Sequence, residues 1–439
     1  MTRFTAGRAT GSGKAMTGQN EAPVALAELV RVFWRIGCLS FGGPAAQISL
    51  MHGELVNRRG WIREEEYLAA LSFCMLLPGP EAMQLATWAG WRLRGTLGGL
   101  ISGLLFVLPG AAVVLALSAA YVAFGAVPLV NAVFVGIQAA VVAIVIEALL
   151  RVSRRALVSP GAGWVSVLAF LALFLFNAPF PLIILLAGIW GAWTCRNLPQ
   201  PPALPPPMRA QSGRTLAIWG AVWLLPLVLL WLHGGLVFEI GWFFSRLAVL
   251  TFGGAYAVLA WMTQEVVQLH GWLTTEQMMA GLGLAETTPG PLILVTEFVG
   301  FLAGYGAGGW PMALAGAGIA LWMTFAPCFL WIFLGAPYLA RLTAAPRLAG
   351  ALAAILAAVV GVIAHLSLWF ALHLFFARSE PLTLGPLHLL LPDLGSLRWL
   401  PALIALTSTA LLLELHRPLW QVLAVSVGMS LVGALMFGG

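Results

Sequence analysis

Long apolar runs separated by short polar clusters set the pattern of this chain. Leu97–Tyr121, Leu129–Leu150 and Met312–Leu334 each exceed the roughly 18 apolar residues that mark a helix able to cross a bilayer. The stretch "LPGPEAMQL" (77–85) interrupts another run, which opens near Tyr67 and closes near Gly90. Proline removes a backbone donor and clashes with the preceding turn, at about 3 kcal/mol in a helix interior. The helix must therefore stop at Pro78-Gly79-Pro80 and restart. "FGGPAAQ" (41–47) is a second interruption of the same kind. In lipid, broken backbone is tolerated only where it faces protein or a watery cavity. The pattern predicts discontinuous helices grouped around an internal site.

Composition sharpens the class. The chain is 61% hydrophobic and 9% charged, with a mean hydropathy of +0.95, whereas soluble domains carry about a quarter charged residues. The expectation is an all-α polytopic membrane protein. The net charge of +6 does not point to nucleic acid, because the basic residues sit scattered at helix ends as topology signals do. Cys38, Cys74, Cys195 and Cys328 show neither disulfide nor metal spacing. Residues 1–20 are polar and have no signal-peptide core, so a disordered cytoplasmic tail is expected. "GRATGSGKAMT" (7–17) is not a phosphate loop: its glycines are one residue too far apart, Ala15 replaces Ser/Thr, and no strand precedes it.

The chain is also duplicated. "FWRIGCLSFGGPAAQ" (33–47) lies over "FSRLAVLTFGGAYAV" (244–258) at an offset of 211, without a gap through Pro80 and Pro291. Eighteen of 48 positions are identical, among them Arg35/Arg246, Phe41-Gly42-Gly43/Phe252-Gly253-Gly254, Glu54/Glu265, Gly60-Trp61/Gly271-Trp272 and the two Pro-Gly-Pro segments. Shared apolar composition does not supply matching Gly-Trp and Pro-Gly-Pro at fixed separation. The expected organisation is a first repeat over 21–196, a Pro-rich cytoplasmic linker over 197–214, a connecting transmembrane helix over 215–233, and a second repeat over 234–439. Arginines mark three cytoplasmic loops: Arg151, Arg154 and Arg155; Arg196, Arg209 and Arg214; and Arg341 and Arg347. The loops near Gly125, Asn177 and Gly306 carry no charge. Six spans, one connecting helix and six more give about 13, with the second copy turned over. The weakest span is 400–413. Residues 376–399, with Asp393 and three prolines, are expected as a loop or a partly embedded segment. Two homologous halves in inverted topology, with discontinuous helices, is the architecture of secondary transporters.

A helix restarting after a break aims unpaired N–H groups and its positive dipole end into the gap, which suits an anion. Pro44 and Pro80 fit first-turn positions, and Glu81 follows in the first turn of its helix. The second copy has diverged, with Ala255 for Pro44 and Leu292 for Glu81. Arg35 and Arg246 lie six residues before each Phe-Gly-Gly, about 9 Å along a helix. An arginine at that depth calls for a cavity or a partner, unless it snorkels to the interface. The candidate binding residues are Arg35, Phe41, Gly42, Gly43, Pro44, Gln47, Pro78, Gly79, Pro80, Glu81, Gln84, Arg246, Phe252, Gly253, Gly254, Thr287, Thr288, Pro289, Gly290 and Pro291. Bland alternatives stand beside them: close helix packing for the glycines, a helix cap for Glu81, interhelical hydrogen bonds for Gln47 and Gln84, and interface topology marking for Arg92 and Arg94. Gly95, Gly99 and Gly103 read as packing glycines.

"FGGPAAQI", "GWIREEEYLAAL", "LPGPEAMQLATWAGWRLRGTLGGLISGLLFVLPG" and "TTPGPLILVTEFVGFLAGY" resemble the chromate ion transporter family in its long two-domain form. The resemblance covers both copies. It implies efflux of chromate, a tetrahedral dianion similar to sulfate, across the bacterial cytoplasmic membrane, and with it chromate resistance. The motif positions it carries are Phe41 to Pro44 and Pro78 to Glu81 with their second-copy partners. Family second copies often have a third glycine where Ala255 stands. The residues alone do not separate chromate from sulfate or molybdate. A membrane enzyme acting on lipid-linked phosphate is the remote alternative, and the seven histidines form no dyad for it; His365 and His373 read as structural. The expected partners are an oxyanion and the lipid bilayer, with a homodimer allowed; no nucleic acid, cofactor or metal is expected.

Overall fold

The structure, a computed structural model, describes residues 24–125, 127–196, 212–252, 255–385 and 387–437. The expected tail (1–20), linker residues 197–211, and Gly253 and Gly254 lie outside the described residues. The chain folds as helices α1 (Leu26–Leu39), α2 (Gly43–His52, continued by a π-helical stretch to Arg58), α3 (Glu64–Leu76), α4 (Glu81–Phe124), α5 (Pro128–Ala156), α6 (Ala162–Phe176), α7 (Phe180–Thr194) and α8 (Ser212–His233). The second part follows as α9 (Leu236–Leu250), α10 (Ala255–Thr263, with a π-helical continuation to Leu269), α11 (Thr275–Thr287), α12 (Val295–Gly335), α13 (Leu339–Thr343), α14 (Pro346–Phe375), α15 (Trp399–Thr409) and α16 (Leu419–Phe437). The boundaries of α3 and α11 differ by the repeat offset of 211 with no shift.

Among the described residues six helical stretches are long and apolar enough to cross a bilayer, so this is a multi-pass membrane protein. Their outward residues include exposed apolar side chains such as Leu108, Trp231 and Leu435. Between α14 and α15, residues Ser379–Leu384 (β1) and Leu387–Pro392 (β2) pair antiparallel, Ser379 opposite Pro392. Asp393 accepts from the Gly395 N–H and faces Arg378 at 3.3 Å. The segment left open as a loop or embedded stretch is therefore a small hairpin, the one sheet among the described residues.

Two long helices double back on themselves. α4 turns at Arg94–Gly95, where Gly95 adopts φ +64°, so Gly90 lies against Gly98 and Thr87 against Gly103. α12 turns at Gly308–Gly309, with φ +66° at Gly309; Gly300 meets Gly316, and the Thr324 hydroxyl reaches that of Thr296. A side chain at Gly90 or Gly300 would collide with the opposing backbone, so glycine is what lets the arms close. α3 and the first arm of α4 also run antiparallel, with Pro-Gly-Pro at the tip and the Glu66–Arg92 ion pair joining the feet. Each of these arms is about 20 Å long, too short to cross the apolar layer alone.

The halves interlock. The long arms of α4 and α12 pack antiparallel, Gly99 on Phe333 and Gly103 on Phe329. α6 and α7 leave their own half to pack along α14, while α15 and α16 pack along α5. Ser430 Oγ donates to the Ala132 carbonyl across that second contact at 2.7 Å. One continuous apolar core runs through both halves.

Candidate functional site

Positive φ at Gly42 (+85°) and Gly43 (+77°) ends α1 and lets the chain re-enter α2. Gly79 (+121°) and Gly290 (+92°) do the same at the Pro-Gly-Pro tips. Side chains other than glycine rarely adopt such values. The breaks then meet in pairs across the two copies. The Gly290 N–H donates to the Ser40 carbonyl at 2.9 Å, and the Gly79 N–H donates to the Thr251 carbonyl at 2.8 Å. Ser40 and Thr251, like Gly79 and Gly290, are 211 residues apart. Each Pro-Gly-Pro tip is thus clasped by the break of the other copy.

Two buried amides reinforce these joints. Gln47 Nε2 donates to the Gly290 carbonyl at 2.6 Å and to Ser40 at 3.3 Å. Gln84 Nε2 donates to the Pro78 carbonyl at 2.6 Å. Their Oε1 atoms have no partner among the described residues. Thr287 and Thr288 spend their hydroxyls on their own helix, donating to the Leu284 and Ala285 carbonyls. Pro289, Gly290 and Pro291 are buried, and Gly290 lies against Gly110 and Phe106 of α4.

The other joint is open. A cavity of about 250 Å³ is lined there by Pro44, Ala45, Gly79, Glu81, Phe252 and Tyr256, together with Arg151 and Arg155 of α5 and an apolar wall from Leu76, Leu77, Leu352 and Leu356. The first turns of α2, α4 and α10 all reach it, so three positive helix ends converge. Arg151 forms an ion pair with Glu147 one turn earlier. The Arg155 charge acts on Glu81. With a water taking about 30 Å³ of liquid volume, the space accommodates a tetrahedral oxyanion and part of its hydration shell.

Arg35 and Arg246 do not line this cavity. Arg35 is about half exposed and faces Glu54 at 3.8 Å, a carboxylate that also binds Arg58 and Arg59. Arg246 lies 5.6 Å over the Trp242 ring, with its Nε buried and unpartnered. Phe41 is exposed, away from the lining. Arg92 pairs with Glu66, and Arg94 Nε donates to the Val24 carbonyl at 2.6 Å, both at the fold-back of α4. Sequence reasoning assigned Arg151 and Arg155 to a topology-marking loop and so missed them as lining. Their i, i+4 spacing on one helix face was the available signal.

The family model described as Chromate transporter matches residues 27–192 and 238–438. The chain is 31% identical over 341 residues to a chromate transport protein of Cupriavidus metallidurans, covering 77% of this chain and 80% of that one. It is 30% identical to a chromate transport protein of Pseudomonas aeruginosa (80% and 83% covered). It is also 30% identical to a probable chromate transport protein of Synechococcus elongatus (77% and 83%). No solved structure matches. A chain matched over both halves by one transporter family, with discontinuous helices around a cavity lined by Arg151 and Arg155, is a transport protein rather than an enzyme; it belongs to the chromate transporter family.

Proposed function

We propose that the protein is a secondary transporter that carries chromate out across the bacterial cytoplasmic membrane, holding the anion at the broken-helix ends. The observation that carries this reading is one cavity receiving the first turns of α2, α4 and α10 together with Arg151 and Arg155. Helix ends and guanidinium groups replace hydration without requiring a metal or a nucleotide. The relatives' names supply chromate as the substrate. Sulfate and molybdate share its tetrahedral shape and charge, and compete in the test.

The transporter works as two inverted halves of about 13 segments, counted with re-entrant arms. The antiparallel long arms of α4 and α12 support the inversion, since a parallel repeat would align its equivalent helices. The arginine-rich end of α5 supports a cavity mouth on the cytoplasmic side, where an exporter loads. An interior-negative potential drives a dianion outward with about 4.6 kcal/mol per 100 mV, about 2.3 for each charge, so the voltage alone suffices to power export.

Reconstituted vesicles test this. Chromate flux should appear without nucleotide, follow an imposed potential, and be inhibited by sulfate or molybdate according to their affinity. Absence of flux under any potential sinks the transport reading. Reporter tags after Arg155 and at Gly306 should lie on opposite sides of the membrane; placement on the same side rejects the inversion.

A further inference from the structure

Behind the cavity wall stands a group that the transport reading does not use. Tyr256, which lines the cavity, donates its hydroxyl to Glu286 Oε1 at 2.5 Å. Glu286 lies in the last turn of α11, just before the buried Pro-Gly-Pro tip. The charges facing it are Arg151 and Glu147 from α5. Across the cavity lie Arg155 and, from α4, Glu81; α14 contributes only Leu352, Ala353 and Leu356. With every group ionised, two arginines face three carboxylates. A dianion entering such a site adds repulsion that proton uptake relieves.

We propose, resting on the cavity as the oxyanion site, that Glu286 takes up one proton as the dianion binds beside Arg151, so that the anion and a proton occupy the protein together. Glu147 is held in an ion pair by Arg151, whereas neither Glu81 nor Glu286 forms an ion pair among the described residues. Of these two, Glu286 is the one hydrogen-bonded by a side chain that lines the cavity, Tyr256. The repeat points the same way. The first-copy counterparts of Tyr256 and Glu286 are Ala45 and Met75, which line the same cavity without chemistry. The acid–tyrosine pair therefore exists on one side of the pseudo-symmetry only, where a proton site serves one face of the membrane. The proton adds to Glu286 Oε2 from solvent, and no bond is broken elsewhere.

Calorimetry of chromate binding to the purified full chain, in buffers of different ionisation enthalpy and at alkaline pH where chromate is wholly dianionic, counts protons directly. The wild type should take up about one proton per anion. Glu286→Gln should still bind chromate while taking up almost none, and Glu286→Asp should restore uptake. Tyr256→Phe should bind with uptake retained but its pH midpoint moved upward, because the hydroxyl that favours the charged carboxylate is gone. Undiminished uptake by Glu286→Gln, or none by the wild type, overturns the proposal. Should Glu286→Gln fail to fold, an unmoved midpoint in Tyr256→Phe overturns it instead. A wild type that binds no chromate overturns the cavity reading itself, a separate failure.

Discussion

Replacing Arg151 with glutamine separates two effects that the structure places side by side. The first is the lost charge-assisted hydrogen bond to the anion, worth about 1.5–3 kcal/mol. The second comes from Glu147, whose charge Arg151 neutralises. Without the arginine, that carboxylate faces the dianion unpaired, and at an effective dielectric of about 20 the repulsion adds about 1 kcal/mol or more. Together the loss is about 2.5–4 kcal/mol, a weakening of roughly sixtyfold to several hundredfold at about 1.4 kcal/mol per factor of ten. Adding Glu147→Gln should return about five- to tenfold of that. Arg151→Lys keeps the charge but not the planar fork, and should cost about tenfold. The assay is chromate binding to purified protein, normalised to folded material, with flux measured in parallel. An Arg151→Gln variant of wild-type affinity refutes the site. A double variant no better than the single refutes the role given to Glu147.

Four further outcomes follow from the same geometry. Gly43→Leu should abolish flux with near-normal expression, because Gly43 borders open space beside α2 and holds φ +77°; normalised flux near wild type would clear it of any role. Gly103→Leu should instead lower thermal stability by about 3 kcal/mol or prevent folding, since a Cβ there meets the Phe329 ring at 2.7 Å; an unchanged melting profile contradicts the packing of α4 on α12. Arg35→Lys should be neutral and Arg35→Ala should cost under about 1 kcal/mol, as befits a half-exposed ion pair; loss of chromate affinity in either would return Arg35 to the site. Gln47→Val, which copies its counterpart Val258, removes the amide bond to Gly290 and should make a thiol placed by Thr288→Cys about tenfold more accessible from outside; equal labelling would show that the clasp does not gate access.

Much of this was legible in the sequence because it rests on backbone. The glycines at 42, 43, 79 and 290 occupy conformations that other residues avoid, so the breaks were readable and so was their repetition. Contacts between elements far apart in the chain were not. Nothing local to "RLRGTLGG" distinguishes a fold-back at Gly95 from a packing glycine in a straight helix, because both use the absence of a Cβ. Arg151 and Arg155 carry two messages at once, and loop charge hid their position on the cavity wall. The hairpin at 379–392 was obscured by prolines, which sit at Pro381 and Pro392 near its ends, where an edge strand tolerates them. The exchange of α6–α7 for α15–α16 rests on contacts between elements far apart in the chain, which no local pattern encodes.

The two clasps are alike in backbone and unlike in side chains, and that difference makes the two joints unequal. At the sealed joint Gln47 adds an amide bond to the Gly290–Ser40 pair, while its counterpart Val258 adds nothing at the open one. Gln84 donates instead to Pro78 of its own tip at the open joint, so only the Gln47 amide crosses between the copies and the two clasps are unequal. Two identical halves would present the same site to both faces and would have no preferred state from which to load. Here Glu81 answers Leu292, Pro44 answers Ala255, and Glu286 answers Met75, so the polar groups sit asymmetrically on a symmetric frame. The shared backbone supplies two like joints, and the diverged side chains give them different chemistry.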